Sequence, residues 1–242
     1  MNLVVDIGNT QVKVAIFELE RLVTSLSFDE QQLKSTLGKL LKEHQITSCI
    51  LSAVSNYDPY VVDVLQNIPF FLRLSHTTKL PFINRYSTPH TLGKDRIALV
   101  AAAVRMYAGK NVLVIDAGTC MTFDIVEGNK QYLGGAISPG LEMRYHALHD
   151  YTSNLPKLSK SEQYPLIGYN TTASIHSGVI NGMVQEIEGV VGQYQKKYQD
   201  LTVVLTGGDT KFLFKQLKNS IFANQNFLLQ GLNQILTHNN QE

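Results

Sequence analysis

Twice in this chain an apolar, strand-like run ends in an aspartate, turns through a glycine and a threonine, and resumes as a second apolar run. The first copy is Leu3-Val4-Val5-Asp6-Ile7-Gly8-Asn9-Thr10, continuing as Val12-Lys13-Val14-Ala15-Ile16-Phe17. The second is Val112-Leu113-Val114-Ile115-Asp116-Ala117-Gly118-Thr119, continuing as Met121-Thr122-Phe123-Asp124-Ile125-Val126. β-Branched runs interrupted by glycine turns predict hairpins. Two such hairpins in matching contexts predict two related halves that face each other across a cleft. An aspartate at a strand end places a carboxylate at the edge of a sheet. The glycine beside it lets a phosphate approach backbone N–H groups, because no Cβ stands in the way. A carboxylate meets a polyphosphate only through a cation or a water. Asp6 and Asp116 together therefore imply a nucleotide and a cation; the alternative is two independent Asx turns at hairpin tips.

Between and after the repeats, strand and helix patterns alternate, which predicts an α/β fold. Leu22 to Ser27 completes a meander, and Asp29 is expected to cap a helix carrying Leu33, Leu37, Leu40 and Leu41. Cys49 to Val54 reads as a buried parallel strand. Pro59 to Leu65 is a helix and Phe70 to Leu74 a strand. Lys79 to Leu92 is a long loop of the kind that often carries function. The alanine- and valine-rich segment from Lys94 to Met106 predicts a helix buried on several sides. Leu133 to Gly140 leads into another helix, and 150–170 is polar and irregular. A long helix is expected from Thr172 to Tyr198, then a strand from Leu201 to Thr206, a helix capped by Asp209, and a last helix from Phe227 to Thr237. The boundary between halves is expected near Gly109, giving domains 1–109 and 110–242.

Composition removes several classes of function. The 242 residues carry 21 basic and 20 acidic side chains, for a net charge of +1. That balance argues against a nucleic-acid surface, which needs clustered Lys and Arg. No apolar run is long enough to span a membrane, and strand chemistry begins at Leu3 where a secretory leader would lie. Cys49 and Cys120 make neither a disulfide framework nor a metal spacing; both are expected to be buried, inert thiols in a reduced, cytoplasmic setting.

Further motifs add chemistry. Val203-Val204-Leu205-Thr206 running into Gly207-Gly208-Asp209-Thr210 suits a phosphate or adenosine at a helix N-terminus, or a plain turn and cap. Gly93-Lys94 is not a P-loop, since Asp95 stands where Ser or Thr is required and Thr88 where glycine is. Asp95, where the long loop meets the buried helix, is a candidate proton acceptor for phosphoryl transfer to an alcohol, and Arg96 could grip an anion. Spacing alone fits equally well a first-turn acid favoured by the helix dipole and paired with Arg96. His146 and His149 lie on one helical face without further ligands and read as solvated. Gly178, Gly182 and Gly189 fit close helix packing at a subunit interface, or simple flexibility.

Taken in order, these residues resemble the type III pantothenate kinase family, within the acetate and sugar kinase/Hsp70/actin superfamily. The resemblance rests on Asp6 to Thr10, Gly93-Lys94-Asp95-Arg96, Ile115 to Thr119, Gly134 to Gly140, Asn170-Thr171-Thr172 with Ser177-Gly178, and Thr206-Gly207-Gly208. It implies two ribonuclease H-like (actin-like ATPase) domains facing each other across a cleft. It implies ATP-dependent phosphorylation of the 4′-hydroxyl of pantothenate, the first step toward coenzyme A, by a cytoplasmic homodimer with Mg²⁺ accompanying ATP and a monovalent cation, K⁺ or NH₄⁺. Asp6, Ile7, Gly8, Asn9, Thr10, Gln11, Val12 and Lys13 would form the first ATP phosphate loop, and Thr119 would touch ATP. Asp95 would be the general base. Tyr86, Gly93, Lys94, Asp95 and Arg96 would surround pantothenate, with Thr171 reaching it from across the dimer. Asp116 would hold the monovalent cation. The chain departs from the family pattern at Ser87-Thr88-Pro89, where Glu-Asn-Pro is common, and at Lys94, where a small residue is usual.

Two other functions compete. One is a kinase of a different small alcohol or acid on the same fold. The other is a nucleotide-binding regulator that has lost catalysis. The presence of Asp6, Asp95 and Asp116 argues against a dead enzyme, and the lack of a basic patch argues against DNA binding.

Overall fold

The structure is a computed structural model that describes residues 1–54 and 57–240. The chain forms two compact units. The first comprises Met1–Gly109, Gly128–Leu133 and Asn226–Glu242; the second comprises Lys110–Glu127 and Gly134–Gln225.

The first unit opens with the meander read from the sequence: β1 (Asn2–Ile7), β2 (Val12–Glu18) and β3 (Arg21–Phe28). Helix α1 (Leu33–Glu43) then leads to β4 (Ser48–Ala53), which pairs parallel with β1. Helix α2 (Tyr60–Leu65) and β5 (Phe70–Arg73) complete a five-stranded sheet of order β3-β2-β1-β4-β5. A two-residue strand, β6 (Ile83–Asn84), lies within the long loop, and α3 (Lys94–Met106) follows it. One face of the sheet buries Leu3, Val5, Val14 and Ile16 with Leu33, Leu37 and Leu40 of α1 and Val61 and Leu65 of α2. Helix α3 and the last helix, α8 (Phe227–Asn240), pack together in this same unit. Their contact is backbone-close: a Cβ on Gly231 would overlap the carbonyl of Ala98. Consistent with its composition, α3 is buried along most of its length, from Arg96 to Val104.

The second unit repeats the plan. β7 (Val112–Ala117) and β8 (Cys120–Val126) form the second hairpin, followed by β9 (Gln131–Pro139), whose first residues belong to the first unit. Then come α4 (Leu141–Asp150), α5 (Thr171–His176), a π-helical turn at Ser177–Asn181, and α6 (Gly182–Lys197). β10 (Thr202–Thr206), α7 (Thr210–Phe214) and β11 (Phe222–Ala223) complete the set. The strand order β9-β8-β7-β10-β11 repeats that of the first sheet, hairpin for hairpin, and β6 pairs with β9 at Gln131 and Tyr132. Parallel pairing of β10 on β7 matches that of β4 on β1. The core of this unit joins Leu113, Ile115, Phe123 and Leu205 to Leu141, Tyr145, Ile180, Met183 and Ile187.

Several local expectations are corrected. Asp29 makes no side-chain cap; a 3-10 turn at Glu30–Gln32 intervenes, with Gln32 N donating to the Asp29 carbonyl at 2.9 Å, and α1 starts only at Leu33. Asp209 makes no capping bond either, because its carboxylate pairs with Lys160 at 2.7 Å. The long helix runs without a break from Thr171 to Lys197, as read, with the π-helical turn inside it. Cys49 is buried and its thiol is pushed up to about 12 by that burial, as an inert core thiol should be. Cys120 is exposed, because it opens β8 directly after the hairpin turn. His146 is exposed, as read, whereas His149 is half-buried, with its Nδ1 2.7 Å from the Leu155 carbonyl. Gly178, Gly182 and Gly189 have open space where a Cβ would stand, so they make no close packing within this chain.

Candidate active site

In the first unit the site is built at the carboxyl ends of β1 and β4. Register sets Asp6 opposite Lys13 on one side and opposite Ser52 on the other. Ser52 Oγ donates to Asp6 Oδ1 at 2.9 Å from a fully buried position. Asp6 itself is only 7 % exposed. Burial pushes its carboxyl up to about 6; the Ser52 bond and Lys13 pull the other way, and the nearby Asp95 carboxylate raises it further. Two carboxylates close enough to repel, one of them buried, form a place where a cation or a cation-bearing phosphate is welcome.

The turn beyond Asp6 is tight, with Gly8 N donating to the Gln11 carbonyl at 3.1 Å. A Cβ on Gly8 would press on that same oxygen. Asn9, Thr10 and Gln11 are exposed at the tip. Gln11 is fixed by Ser27, whose Oγ donates to Gln11 Oε1 at 2.8 Å. Ile7 and Val12 bury their side chains in the core, so from these positions a ligand meets backbone.

Asp95 sits in the first turn of α3, half-buried, with Arg96 N donating to its Oδ1 at 2.8 Å. Gly93 is the N-cap, and a Cβ there would overlap Asp95 Oδ1. Glycine thus leaves the room the carboxylate occupies. Arg96 is 4 % exposed, and its guanidinium lies 5.5 Å from the centre of the Tyr86 ring. Tyr86 in turn stacks on Tyr132, with centroids 6.1 Å apart. Lys94 Nζ donates to the Ala53 carbonyl at 2.8 Å. The first unit therefore brings together Asp6, Lys13, Asp95, and the Tyr86–Arg96 pair.

In the second unit three loops converge on Asp116. Its strand neighbours are Thr122 on β8 and Thr206 on β10. Gly207 has φ +96°, and a Cβ there would strike Asp116 Oδ1 and the Ala117 carbonyl. Asp209 N donates to that carbonyl at 3.0 Å. Gly140 lies against the turn: a Cβ would overlap the carbonyls of Gly118 and Thr119, and its N donates to Thr119 O at 3.2 Å. Gly140 and Gly207 are thus required by close backbone approach, and with the Gly118 turn they surround an oxygen-rich corner beside the carboxylate. Thr119 is exposed there. Thr171 is the exposed first residue of α5, whose N-cap Asn170 accepts from Ala173 N at 2.8 Å.

Among the described residues there is no group of three or more His, Cys, Asp and Glu able to hold a metal. The oxygen donors at Asp6 and Asp116 suit hard cations bound partly through a phosphate, water or carbonyl, not a soft-metal cage. Ser52, Gly140 and Lys160 escaped sequence reasoning. Ser52 carries no motif, and its role appears only once the parallel pairing of β4 on β1 is known. Gly140 fell within a quoted motif, but its contact with the Gly118 turn is non-local.

The family model for type III pantothenate kinase matches residues 2–193. The chain belongs to the type III pantothenate kinase family. A type III pantothenate kinase of Christiangramia forsetii is 50% identical over 240 residues, covering 99% of each chain. One from Flavobacterium johnsoniae is 43% identical over 238 residues, covering 97% of this chain and 96% of the relative. One from Bacteroides fragilis is 42% identical over 241 residues, covering 99% of each. Among solved structures, a protein of the Baf transcriptional-activator family from Campylobacter jejuni superposes with a TM-score of 0.62 at 22% identity, covering 99% of this chain and all of that one. A ROK hexokinase from Thermus thermophilus gives 0.53 at 11% identity, covering 100% and 99%. At those identities the likeness concerns the fold, which is that of the actin-like ATPases, as the type III pantothenate kinase resemblance implied.

Proposed function

We propose that this protein transfers the γ-phosphoryl group of ATP to the 4′-hydroxyl of pantothenate. The observation that carries the reading is the placement of Asp95 beside the buried Asp6, close enough for its charge to raise the Asp6 carboxyl. One carboxylate serves the phosphate end through a cation; the other accepts the proton of the incoming hydroxyl. Mg²⁺ arriving with ATP supplies charge neutralisation of the phosphates, and Asp6 is the carboxylate suited to face it. The Gly8–Thr10 turn and Lys13 are the groups of the first unit suited to phosphate oxygens. Tyr86, Gly93, Lys94 and Arg96 enclose the acceptor around Asp95.

Asp116, with the carbonyls gathered by Gly140 and Gly207, is the place for a monovalent cation. A homodimer is supported by Leu166 and Ile167, each 82% exposed, and Tyr169, 83% exposed, which precede the open glycine face of Gly178, Gly182 and Gly189. Apolar side chains left this bare mark an interaction surface, and Thr171 follows them directly. No helix of the described residues is long and apolar enough to cross a membrane. A cytoplasmic location fits the exposed free thiol of Cys120.

The test is a coupled assay of purified protein with ATP, Mg²⁺ and K⁺, offering pantothenate beside a panel of other small hydroxy acids. Phosphorylation of pantothenate in preference to the panel is expected. Turnover of another acceptor, or none with folded dimer present, overturns the reading.

A further inference from the structure

The irregular segment between α4 and α5 is pinned where it crosses the second unit. Leu155, Leu158 and Tyr164 pack against the core of that unit, and the Tyr164 ring meets Phe212 of α7 with centroids 6.2 Å apart. Lys160 lies between these anchors and is tied twice. Its backbone N–H donates to Glu142 Oε1 at 3.2 Å, in the first turn of α4. Its Nζ donates to Asp209 Oδ1 at 2.7 Å, just before α7. One residue thus joins the two stretches that flank the end of β7. Gly140, two residues before Glu142, abuts the carbonyls of Gly118 and Thr119; Gly207, two residues before Asp209, abuts Asp116 Oδ1. The Gly207 turn is held in a demanding shape, with φ +96° and with Thr210 Oγ1 donating to the Gly207 carbonyl at 2.7 Å. Asp209 is 9 % exposed, and its ion pair is with Lys160. Without the ammonium, a carboxylate this buried carries an uncompensated charge and turns toward water, drawing the turn with it.

We propose that Lys160 is a positioning residue for nucleotide binding: through Asp209 it clamps the Gly207–Asp209 turn against the end of β7 and sets how tightly the second unit holds ATP. The inference rests on the ATP-dependent reaction proposed above, and deepens it by naming a residue outside every sequence motif that shapes the site. The turn is open to a ligand on its outer side, since nothing lies within 4 Å of the place a Cβ on Gly208 would take. A ligand can therefore meet backbone there. The hydrophobic anchors on either side of Lys160 fix the segment in advance, so the clamp is formed before the nucleotide arrives. Lys160 acts on the turn and touches no substrate itself.

The experiment is calorimetric titration of MgADP into the full-length protein, with steady-state kinetics beside it. It uses wild type, Lys160→Met, Lys160→Arg, Asp209→Leu and the double variant Lys160→Met/Asp209→Leu, each checked for folding by circular dichroism. Loss of the charge-assisted bond is expected to raise Kd for MgADP roughly five- to tenfold in Lys160→Met, and equally in Asp209→Leu. KM for MgATP should rise in step, while KM for pantothenate stays within about twofold. Lys160→Arg should recover most of the affinity. The double variant should be no worse than either single one, because all three break one contact. A further loss in the double variant overturns the positioning role, since it assigns Lys160 a direct contact with the nucleotide. A Kd unmoved in both single variants, whatever their melting temperatures, overturns the proposal by leaving the pair a purely structural role. A wild type that binds no MgADP overturns the functional reading itself, a result distinct from either of those.

Discussion

Asp6 should cost the empty enzyme stability, and the cost can be worked out. Its carboxyl is raised from 3.8 to about 6 in the folded chain, with burial as the leading cause. At about 1.36 kcal/mol per unit, a gap of about two units corresponds to about 3 kcal/mol of destabilisation once the group is ionised in both states. The sign follows from proton counting. Between the two pKa values the folded chain binds more protons than the unfolded one, so stability falls as pH rises through that window. Well below 3.8 both states are protonated and the penalty is absent. Asp6→Asn keeps an acceptor for Ser52 and removes the charge. In nucleotide-free protein treated with a chelator, the variant should melt roughly 6–12 °C above wild type at pH 8. The difference should shrink to about half by pH 5. MgATP should then stabilise wild type strongly and the variant little, because only the former presents a carboxylate to the cation. The assay is differential scanning fluorimetry from pH 5 to 8, with and without MgATP. Equal melting of the two proteins at pH 8, or a difference that does not vary with pH, would refute the reasoning.

Four further outcomes are expected. Asp95→Asn should lower kcat by about 10²–10⁴-fold with an unchanged melting temperature; near-normal turnover in a phosphorylation assay would remove it from the base role. Gly93→Ala should also depress kcat, because its Cβ displaces the Asp95 carboxylate, while calorimetry should register a change of under about 1 kcal/mol, since a flexible side-chain tip yields cheaply. Replacing K⁺ by Na⁺ should slow the wild type, and Asp116→Asn should erase the difference between the salts. Gly231→Ala, which drives a Cβ into the Ala98 carbonyl, should destabilise by about 1–3 kcal/mol in denaturant titration despite the better helix propensity of alanine.

The duplicated hairpins were legible because their signals are local: alternation, an aspartate and a glycine turn within ten residues. Helix α3 was legible for the same reason, its run of alanine and valine having nowhere to go but a core. What escaped were features made by pairing distant strands. Ser52 reaches Asp6 only because β4 runs parallel beside β1, and neither residue announces the other. The second unit shows the same dependence, since Thr206 comes beside Asp116 by β10 pairing on β7. The strand β9 was hidden within a glycine-rich motif, where composition points to turns. Capping by Asp29 and Asp209 failed because a competing partner won: a 3-10 turn in one case and Lys160 in the other. Cys120 was misplaced because its place directly after the Gly118-Thr119 turn, though visible in the sequence, was outweighed by the tendency of free thiols to be buried.

The return of α8 to the first unit bears on how the polypeptide is made. Helix α3 leaves the ribosome early, but the helix that covers it is the last described element to emerge. The second unit, by contrast, lies entirely upstream of residue 226. It can close while the N-terminal part still waits for its final piece. Nascent chains arrested before Phe227 should therefore expose α3 to chaperones and proteases, and the emergence of α8 becomes the moment at which the first unit can close.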